Sequence, residues 1–446
     1  MSKLKVVTPQ KKTPKMTGRD PISSFWLKVI MAGLILFLYG RTIGYEFVLD
    51  DGLIIENNPV VQKGAAGIFE TFSQGSVTHF KGSNFQIYRP AFISFLCAEN
   101  QIFGMSPAGF HFLNLLLYWL LSVLIFRLLT VLLPSLHFYY RAFIAFLFII
   151  HPIHTEVVAN VKSQDELLAT LGCAMALYYF IRQDEAGAGR IKYLLLSLFG
   201  FLLALFSKES SFAFVIIFPL SLFLFRNKNI IHSLKGSVYY FLAAGFFLLV
   251  RHFAISEINI PYETSAMENV LYAAKTTGEL IGTKMEIAFY YLRMMVFPYP
   301  MSWDYSFNQI PVVTMAHAIP ILSLLLYAAI GFLFFWNIRK QPAVSFAIAF
   351  FVALSVPTAS LFFPNGTTFA DRFLFMPSLG FIIALVYIAA SRLGFDLKDP
   401  SSSVKRVIML AGVVLLLPCS WLTISRAADW KDNFAVFSSG ARNSPN

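Results

Sequence analysis

Eleven long apolar stretches alternate with polar ones along the chain. Each is roughly 15 to 25 residues long, which is about the length that an α-helix needs to cross a bilayer core of about 30 Å. They cover residues 24–43, 110–133, 140–158, 167–181, 193–206, 211–225, 237–255, 315–338, 343–363, 373–391 and 407–425. The pattern predicts an all-α polytopic membrane protein with about eleven transmembrane helices. Because several stretches are short, tilted or re-entrant helices stay open as alternatives.

The composition supports this class of protein and excludes a soluble globular one. Of the 446 residues, 57% are hydrophobic and only 13% are charged, which is far from the usual balance of a soluble domain. The net charge of +11 does not indicate a nucleic-acid surface, because the basic residues are spread over the polar stretches between the apolar ones. They flank the predicted membrane helices instead.

The basic residues predict the orientation in the membrane, since cytoplasmic loops are enriched in Lys and Arg. Residues 1–23 carry six of them, and the loops that fall on the same side are short and basic. We expect a cytoplasmic tail over residues 1–23, a transmembrane domain over residues 24–425, and long outer segments at 44–109 and 256–314. Any chemistry is then extracytoplasmic. It faces the periplasm in a bacterial cytoplasmic membrane, or the lumen of the endoplasmic reticulum.

Two adjacent carboxylates, Asp50 and Asp51, stand just beyond the first apolar stretch, at the edge of the membrane. Charged side chains at that depth are costly and usually functional. The plainer alternative is that the pair only caps the turn that follows. Later in the same outer segment, Pro90 follows Arg89 and predicts the start of an amphipathic helix that runs to Phe103 along the membrane surface.

Charged residues recur at helical spacing in the second outer segment. The stripe consists of Glu268, Lys275, Glu279, Glu286 and Arg293. A single polar stripe on an otherwise apolar helix predicts a helix that lies at the membrane interface. A true crossing would invert the orientation of every later loop. Residues 303–305 follow the stripe, and their aromatic rings also suit the interface.

Acidic residues and histidines cluster at the ends of two other stretches. His151, His154 and Glu156 end the third stretch, and Asp165 opens the fourth. A metal site is one interpretation of the two histidines and the glutamate, but Pro152 interrupts their spacing and prevents one clean ligand face. Hydrogen bonding to a phosphate or a sugar is the second interpretation, and structural capping is the third.

Basic residues appear in two more outer positions. Lys208 and Glu209 form a tight turn, where they either contact a ligand or make a solvated ion pair that contributes at most about 1 kcal/mol. Arg372 enters the tenth stretch at the depth of lipid phosphates. It either binds a phosphate or is an arginine that extends to the interface.

The remaining candidate features predict little chemistry. Cys97, Cys173 and Cys419 lie far apart, with neither a disulfide framework nor a metal-binding spacing, so we expect them to serve in packing. The sequence Asn365-Gly366-Thr367 is a single glycosylation match, which is a weak signal on its own.

Several motifs occur in an order that resembles one family. They are LDDGLIIENNP, YRP followed by FG-x-SP-x-GFH-x-LNLLLY, HPIHTEVVA, SKES, DY-SF and DRFLFMPSLGF. Together they resemble the TMTC-type membrane proteins, which are GT-C fold O-mannosyltransferases with tetratricopeptide repeats after the membrane region, and their bacterial relatives. The likeness covers about residues 46–446. Residues 426–446 look like the lead-in to the first repeat, and no repeats follow, so the chain is either a fragment or a member that works without them.

The resemblance implies an inverting transfer of a sugar, mannose in the best-known members. The donor would be a polyprenyl phosphate sugar such as dolichyl phosphate mannose, and the acceptor a Ser or Thr hydroxyl of a protein. Asp50 aligns with the family's catalytic position and would accept the hydroxyl proton. Asp51 would hold the acceptor or orient Asp50, and two neighbouring carboxylates would raise the pKa of one of them.

The resemblance also implies where the donor would bind. Positive charge from Arg89, Lys208 and Arg372 would receive the phosphate leaving group. Further donor or acceptor contacts would come from His151, His154, Glu156, Asp165 and Glu209. No cofactor is required by this chemistry, and a divalent metal is not predicted, although related folds use one.

Other classes of protein remain open. A lipid-linked-sugar ligase or polymerase on the same fold is the nearest alternative, since a fold does not fix the acceptor. A transporter or a flippase would place ionisable residues near the middle of the bilayer and would show repeated halves. The charges here fall at the ends of the apolar stretches instead. A silent scaffold that presents repeats to partners would not need Asp50.

Overall fold

The computed structural model describes residues 24–76, 87–183, 189–226, 228–255, 265–306, 308–360 and 366–444. The predicted cytoplasmic tail and Asn365 of the glycosylation match lie outside these ranges. Within them the regular structure is helical and contains no strand. The α-helices are α1 (Ser24–Tyr39), α2 (Pro59–Gln62), α3 (Pro90–Phe103), α4 (Pro107–Leu132), α5 (Phe138–Ile150), α6 (Thr155–Ala159), α7 (Gln164–Gln183), α8 (Arg190–Ser207), α9 (Phe214–Phe225), α10 (Ile230–Gly236), α11 (Val238–Ile255), α12 (Thr277–Val296), α13 (Ala318–Asn337), α14 (Pro342–Ser355), α15 (Phe375–Arg392), α16 (Ser402–Ala428) and α17 (Asn433–Asn443).

Each of the eleven predicted stretches overlaps a helix, and the all-α polytopic class is confirmed. Among the described residues, seven helices are long and apolar enough to cross a membrane: α1, α4, α8, α11, α13, α15 and α16. The bent pair α5 and α6 makes an eighth if both form one span. Helices α9 and α14 are apolar but shorter, and α7 starts with two acidic residues. Full crossings by these three helices stay a prediction.

Prolines explain two departures from the predicted spans. The third predicted span bends by 52° between α5 and α6, where Pro152 cannot donate a backbone hydrogen bond. The ninth predicted span extends to residue 363, but α14 ends at Ser355. Val356 keeps helical backbone angles, but the next residue, Pro357, has no backbone N–H with which to continue the helical hydrogen bonds.

Small residues let the helices approach closely in the membrane region. Gly172 of α7 faces Gly200 of α8, and a Cβ added to Gly172 would lie 2.6 Å from the Gly200 carbonyl oxygen. Gly380 of α15 meets Ala347 of α14 in the same way, with a Cβ at 2.6 Å from the Ala347 carbonyl oxygen. Such contacts are how membrane helices associate without a hydrophobic driving force between them.

Helix α12, which carries part of the polar stripe, has both of its flanking segments at one face of the protein. Before the helix, the Val270 N–H donates to the Thr368 hydroxyl over 2.9 Å. After it, the Tyr305 hydroxyl donates to Asp371 over 2.8 Å. Thr368 and Asp371 are only three positions apart in the chain, so the segments before and after α12 lie close to each other on the same face. This arrangement favours an interfacial helix over a crossing.

The chain after α16 returns to this same face. Helix α17 is tied to the second outer segment by the Asn443 amide, which donates to the Met301 carbonyl over 2.8 Å. Just before α17, the Lys431 carbonyl accepts from the Glu46 N–H of the first outer segment over 3.0 Å. The predicted outer segments and the C-terminal residues therefore form one layer, which we call the outer layer.

Candidate functional site

Asp50 lies in a turn of the outer layer whose backbone is unusual. Leu49 has a φ of +51°, a left-handed conformation in which a residue with a side chain is strained. The Asp50 carbonyl then accepts from the N–H groups of Leu53 and Ile54, at the start of a π-helical turn over Gly52–Glu56. The Asp50 side chain is 60% exposed, so a substrate can reach its carboxylate.

Lys162, which the sequence motifs do not single out, is the partner of Asp50. Its Nζ lies 3.5 Å from Oδ2 of Asp50. The Lys162 ammonium holds the pKa of Asp50 below its ordinary value, and the positive charge of Arg372 acts in the same direction. Burial lowers the pKa of Lys162 itself. An ionised carboxylate and a largely desolvated ammonium thus face each other, and we call them the Asp50–Lys162 pair.

Asp51, in contrast, is fully buried. Its Oδ2 accepts from the Val48 N–H over 3.0 Å and its Oδ1 from the Lys162 N–H over 2.7 Å. Asp51 thereby joins the turn of Asp50 to the turn of Lys162, a geometry that suits orientation of Asp50 better than contact with an acceptor. Burial raises the pKa of Asp51 to about 7, and the two backbone hydrogen bonds oppose this effect. The charge of Asp50 is a smaller cause than burial.

Five further charged side chains form a network that we call the buried charge group: Arg89, Asp165, Glu166, Lys208 and Glu209. Asp165 is at its centre, with its oxygens 2.7 Å from Arg89 Nη1 and 3.2 Å from Lys208 Nζ. Lys208 Nζ also lies 2.7 Å from Oε1 of Glu166. Oε2 of Glu209 accepts from Arg89 Nε over 3.0 Å. The solvated ion pair considered for Lys208 and Glu209 is wrong, because each turns to a different partner.

Arg372 forms a separate pair with Glu156. Both its guanidinium Nη1 and its backbone N–H donate to the Glu156 carboxylate, which is almost fully buried. The four basic side chains differ in exposure: 20% for Arg372, 16% for Arg89, 12% for Lys162 and 6% for Lys208. Arg372 is therefore the most accessible of the four and Lys208 the least. Each already has a carboxylate partner, which a phosphate would share or replace.

The two histidines are committed to partners in the protein. One His151 nitrogen, Nε2, contacts the Met295 carbonyl at 3.1 Å, and Nδ1 accepts from the Ile153 N–H over 3.3 Å. His154 is fully buried between the hydroxyls of Tyr118 and Ser378, at 3.0 and 2.8 Å. Contact between these histidines and a substrate would require one of these bonds to break, and it stays a prediction.

The part of the chain that the structure describes holds no group of three or more His, Cys, Asp or Glu side chains arranged for a metal ion. His151, His154 and Glu156 in particular turn to separate partners, as given above. The three cysteines are unpaired with one another, and Cys97 and Cys173 are buried. This distribution agrees with a role in packing.

Comparisons with known proteins find relatives along most of the chain, although no family model matches. A Caenorhabditis elegans protein named protein O-mannosyl-transferase F38B6.6 is 24% identical over 97% of this chain and 59% of its own length. Mouse protein O-mannosyl-transferase TMTC4 is 23% identical over 93% of this chain and 61% of its own length. Human protein O-mannosyl-transferase TMTC1 is 26% identical over 93% of this chain and 51% of its own length.

The chain thus spans between half and about three fifths of the length of these relatives. Identity is low throughout, but the matches are long and involve proteins of one name from worm, mouse and human. The resemblance predicted from the motifs is confirmed: over more than nine tenths of its length, the chain is similar to TMTC-type protein O-mannosyl-transferases.

Proposed function

We propose that this protein is a membrane glycosyltransferase that moves a sugar from a polyprenyl phosphate donor to a hydroxyl of a protein, on the extracytoplasmic face and with inversion. The names of the relatives support transfer of mannose to protein. The lipid donor and the GT-C fold rest on the resemblance of the motifs. The alternative of a ligase or a polymerase would use the same donor site and another acceptor.

The observation that carries the proposal is the Asp50–Lys162 pair. An exposed carboxylate with a lowered pKa is ionised throughout the neutral range, so its oxygens are unprotonated and accessible to an acceptor hydroxyl. The buried Asp51 side chain holds the turn of Asp50 in place by accepting two backbone hydrogen bonds. A general base needs both a free oxygen and a fixed position, and Asp50 has both.

The reaction follows from these positions. The acceptor hydroxyl oxygen attacks the anomeric carbon from the face opposite the phosphate, and a new C–O bond forms as the bond between carbon and phosphate oxygen breaks. The hydroxyl proton passes to the Asp50 carboxylate. The products are the glycosylated protein, the polyprenyl phosphate and a protonated Asp50, which releases its proton to water. A single displacement of this kind inverts the anomeric centre.

The leaving phosphate requires positive charge close to Asp50, since charge develops on its oxygen as the bond breaks. Arg372 and Lys162 are the best placed, because both are partly exposed and both lower the pKa of Asp50. Arg372 offers a guanidinium suited to two phosphate oxygens. Lys208 is largely enclosed by Asp165 and Glu166, so its role in phosphate binding is the least supported of the three that the resemblance implies.

A lipid tail would need an apolar surface beside this layer. A cavity of about 170 Å³ lies where α12 to α15 meet, and its walls are apolar. Its lining includes Leu292 of α12, Ile330 of α13, Phe351 of α14 and Phe381 of α15. Because α12 belongs to the same outer layer as Asp50, we propose this apolar cavity as the place for part of the polyprenyl chain.

Sugar transfer in purified membranes tests the proposal. Membranes that contain the wild type or Asp50→Asn are incubated with each of a panel of radiolabelled polyprenyl phosphate sugars. The label transferred to endogenous protein is then measured. We expect transfer from the mannose donor by the wild type and its loss in Asp50→Asn. Glu56→Gln is the matched control, since it removes another exposed carboxylate of the same turn. Equal transfer by the wild type and Asp50→Asn would contradict the assignment of Asp50 as base.

A further inference from the structure

We propose that residues 429–444, the segment that follows the last apolar helix, form a positioning element for Asp50, with Asn433 as the positioning residue. We call this stretch the C-terminal clamp. The inference rests on the proposed function, because it concerns the same carboxylate. Asn433 would touch no substrate and would act only through the turn that holds Asp50.

The first observation is a hydrogen bond at the strained residue beside Asp50. The Leu49 N–H donates to Oδ1 of Asn433 over 2.9 Å, although 384 positions separate the two residues. Leu49 holds a left-handed backbone conformation that an isolated chain would leave, and such strain persists only where neighbours enforce it. Asn433 supplies a partner for the strained peptide unit. A small rotation at Leu49 would redirect the Asp50 carboxylate.

The second observation is a small apolar cluster beneath the same turn. Val48, Ala159, Trp430 and Val436 are each no more than 1% exposed and pack together. Val48 precedes Leu49, and Ala159 ends the helix before the turn of Lys162. Through Trp430 and Val436, the clamp therefore packs against both turns that carry the Asp50–Lys162 pair.

The third observation is that the clamp is itself firmly held. Asp432 caps α17 by accepting from the Ala435 N–H over 2.8 Å, which fixes Asn433 in the first turn. At the far end, the Ser444 hydroxyl donates to the Asp304 carbonyl over 2.7 Å. Between them, the rings of Phe437 and Trp303 meet edge to face, with centroids 5.5 Å apart. Asn433 is thus presented from a fixed helix, as a positioning role requires.

The clamp also reaches the phosphate side of the site. Arg426, in the last turn of α16, lies 3.1 Å from Asp429 of the clamp and 3.8 Å from Asp371. Asp371 directly precedes Arg372 in the chain. Arg426 therefore links the clamp to the turn of the arginine proposed to bind the phosphate, so a shift of the clamp would disturb that turn as well.

Three variants of the full chain test the inference. Asn433→Ala removes the acceptor oxygen, Asn433→Asp keeps one, and Phe434→Ala is the matched control because the neighbouring Phe434 side chain is 84% exposed. Hydrogen–deuterium exchange of the peptide 46–54 measures, without any substrate, how firmly the clamp holds the turn of Asp50. Transfer from a polyprenyl phosphate mannose probe, expressed per folded molecule, reports kcat and the KM for the donor.

We expect Asn433→Ala to speed exchange in peptide 46–54 and to lower kcat by about tenfold or more, since a displacement of about 1 Å can cost 10²-fold. The KM for the donor should change little, and Asn433→Asp should restore both readouts. Unchanged exchange in Asn433→Ala, or faster exchange with an unchanged kcat, would overturn the inference. If Asp50→Asn transfers sugar as well as the wild type, the proposed function falls instead, and the inference falls with it.

Discussion

The outer layer contains two sets of charges that differ in exposure. The buried charge group pairs two cations with three carboxylates, and Asp165 at its centre is fully buried. The Asp50–Lys162 pair combines an exposed carboxylate with a largely buried ammonium at 3.5 Å. In the first set each charged group is paired with its partners at short distances. In the second set the Asp50 carboxylate is paired and is also exposed to solvent.

The difference separates structural roles from chemical ones. Buried charges are tolerated when they are paired, and removing one partner is strongly destabilising because it leaves the other uncompensated. A group held in this way is hard to use for a substrate. The buried charge group therefore fixes the ends of α3, α7 and α8. We propose the chemistry for the Asp50–Lys162 pair and for Arg372, which is the most exposed of the four cations although its partner Glu156 is buried.

The largest effect should come from breaking the buried charge group at its centre. Asp165→Ala leaves Arg89 and Lys208 without their common partner, and we expect a loss of about 3–5 kcal/mol of folding stability. Unfolding in detergent, followed by heat or denaturant, measures this loss. Glu70→Ala is the control, because its pair with Lys63 is exposed and should contribute at most about 1 kcal/mol. Similar losses in both variants would contradict the distinction.

The next effect concerns donor binding. Arg372→Ala removes the most exposed of the four cations, and a hydrogen bond to a charged group contributes about 1.5–3 kcal/mol. We expect the affinity for a polyprenyl phosphate sugar to fall by about 10- to 100-fold. Direct binding of a labelled donor to the folded variant checks this. An unchanged affinity would remove Arg372 from the phosphate site.

A smaller effect is expected from the pH dependence of transfer. Burial lowers the pKa of Lys162 below its ordinary 10.5, so its ammonium loses the proton as the pH rises through that lowered value. Without this charge the leaving phosphate is less stabilised, and kcat/KM should fall on the alkaline side. Lys162→Arg should move that fall to higher pH, since arginine stays protonated. Lys63→Arg is the control and should leave the pH profile of kcat/KM unchanged. If the alkaline fall in kcat/KM does not move in Lys162→Arg, Lys162 is not the group that stabilises the leaving phosphate.

The smallest perturbation tests the position of the outer layer. Ala316→Cys places a thiol at an exposed residue after the second outer segment, and Ser403→Cys places one at the exposed start of α16. In intact membranes, a membrane-impermeant reagent applied from the outside should label the first and not the second. The reverse pattern would mean that α12 crosses the membrane. Neither substitution should change transfer.

The sequence was informative where a local pattern determines the structure. Continuous apolar runs predicted the helices, and Pro90 predicted the start of α3, which begins at that residue. The sequence was less informative at helix ends. The predicted span continues to residue 363, but α14 ends at Ser355, just before Pro357 interrupts the helical hydrogen bonds. The motifs also predict Asp50 and Arg372 as site residues, and these roles stay predictions.

The partners of these residues could not be read from the sequence. Lys162 lies three positions before Asp165 in the chain, but nothing in the local sequence shows that its side chain turns to Asp50 rather than to solvent. Lys208 and Glu209 are adjacent, yet they bond to different distant carboxylate and guanidinium groups. Asn433 lies hundreds of residues from Leu49. Such contacts depend on how helices pack, and a single sequence carries no direct record of that.

The most direct test of the account compares Asp50→Asn with Glu56→Gln in one preparation, measuring both mannose transfer from a polyprenyl phosphate donor and the unfolding temperature. Removing a general base should reduce transfer per folded molecule by about 10²- to 10⁴-fold. The unfolding temperature separates this loss from any destabilisation of Asp50→Asn, which leaves the largely buried Lys162 ammonium without its carboxylate partner. That result would assign the chemistry to Asp50. Equal transfer by the two variants would contradict the account, whatever their stability.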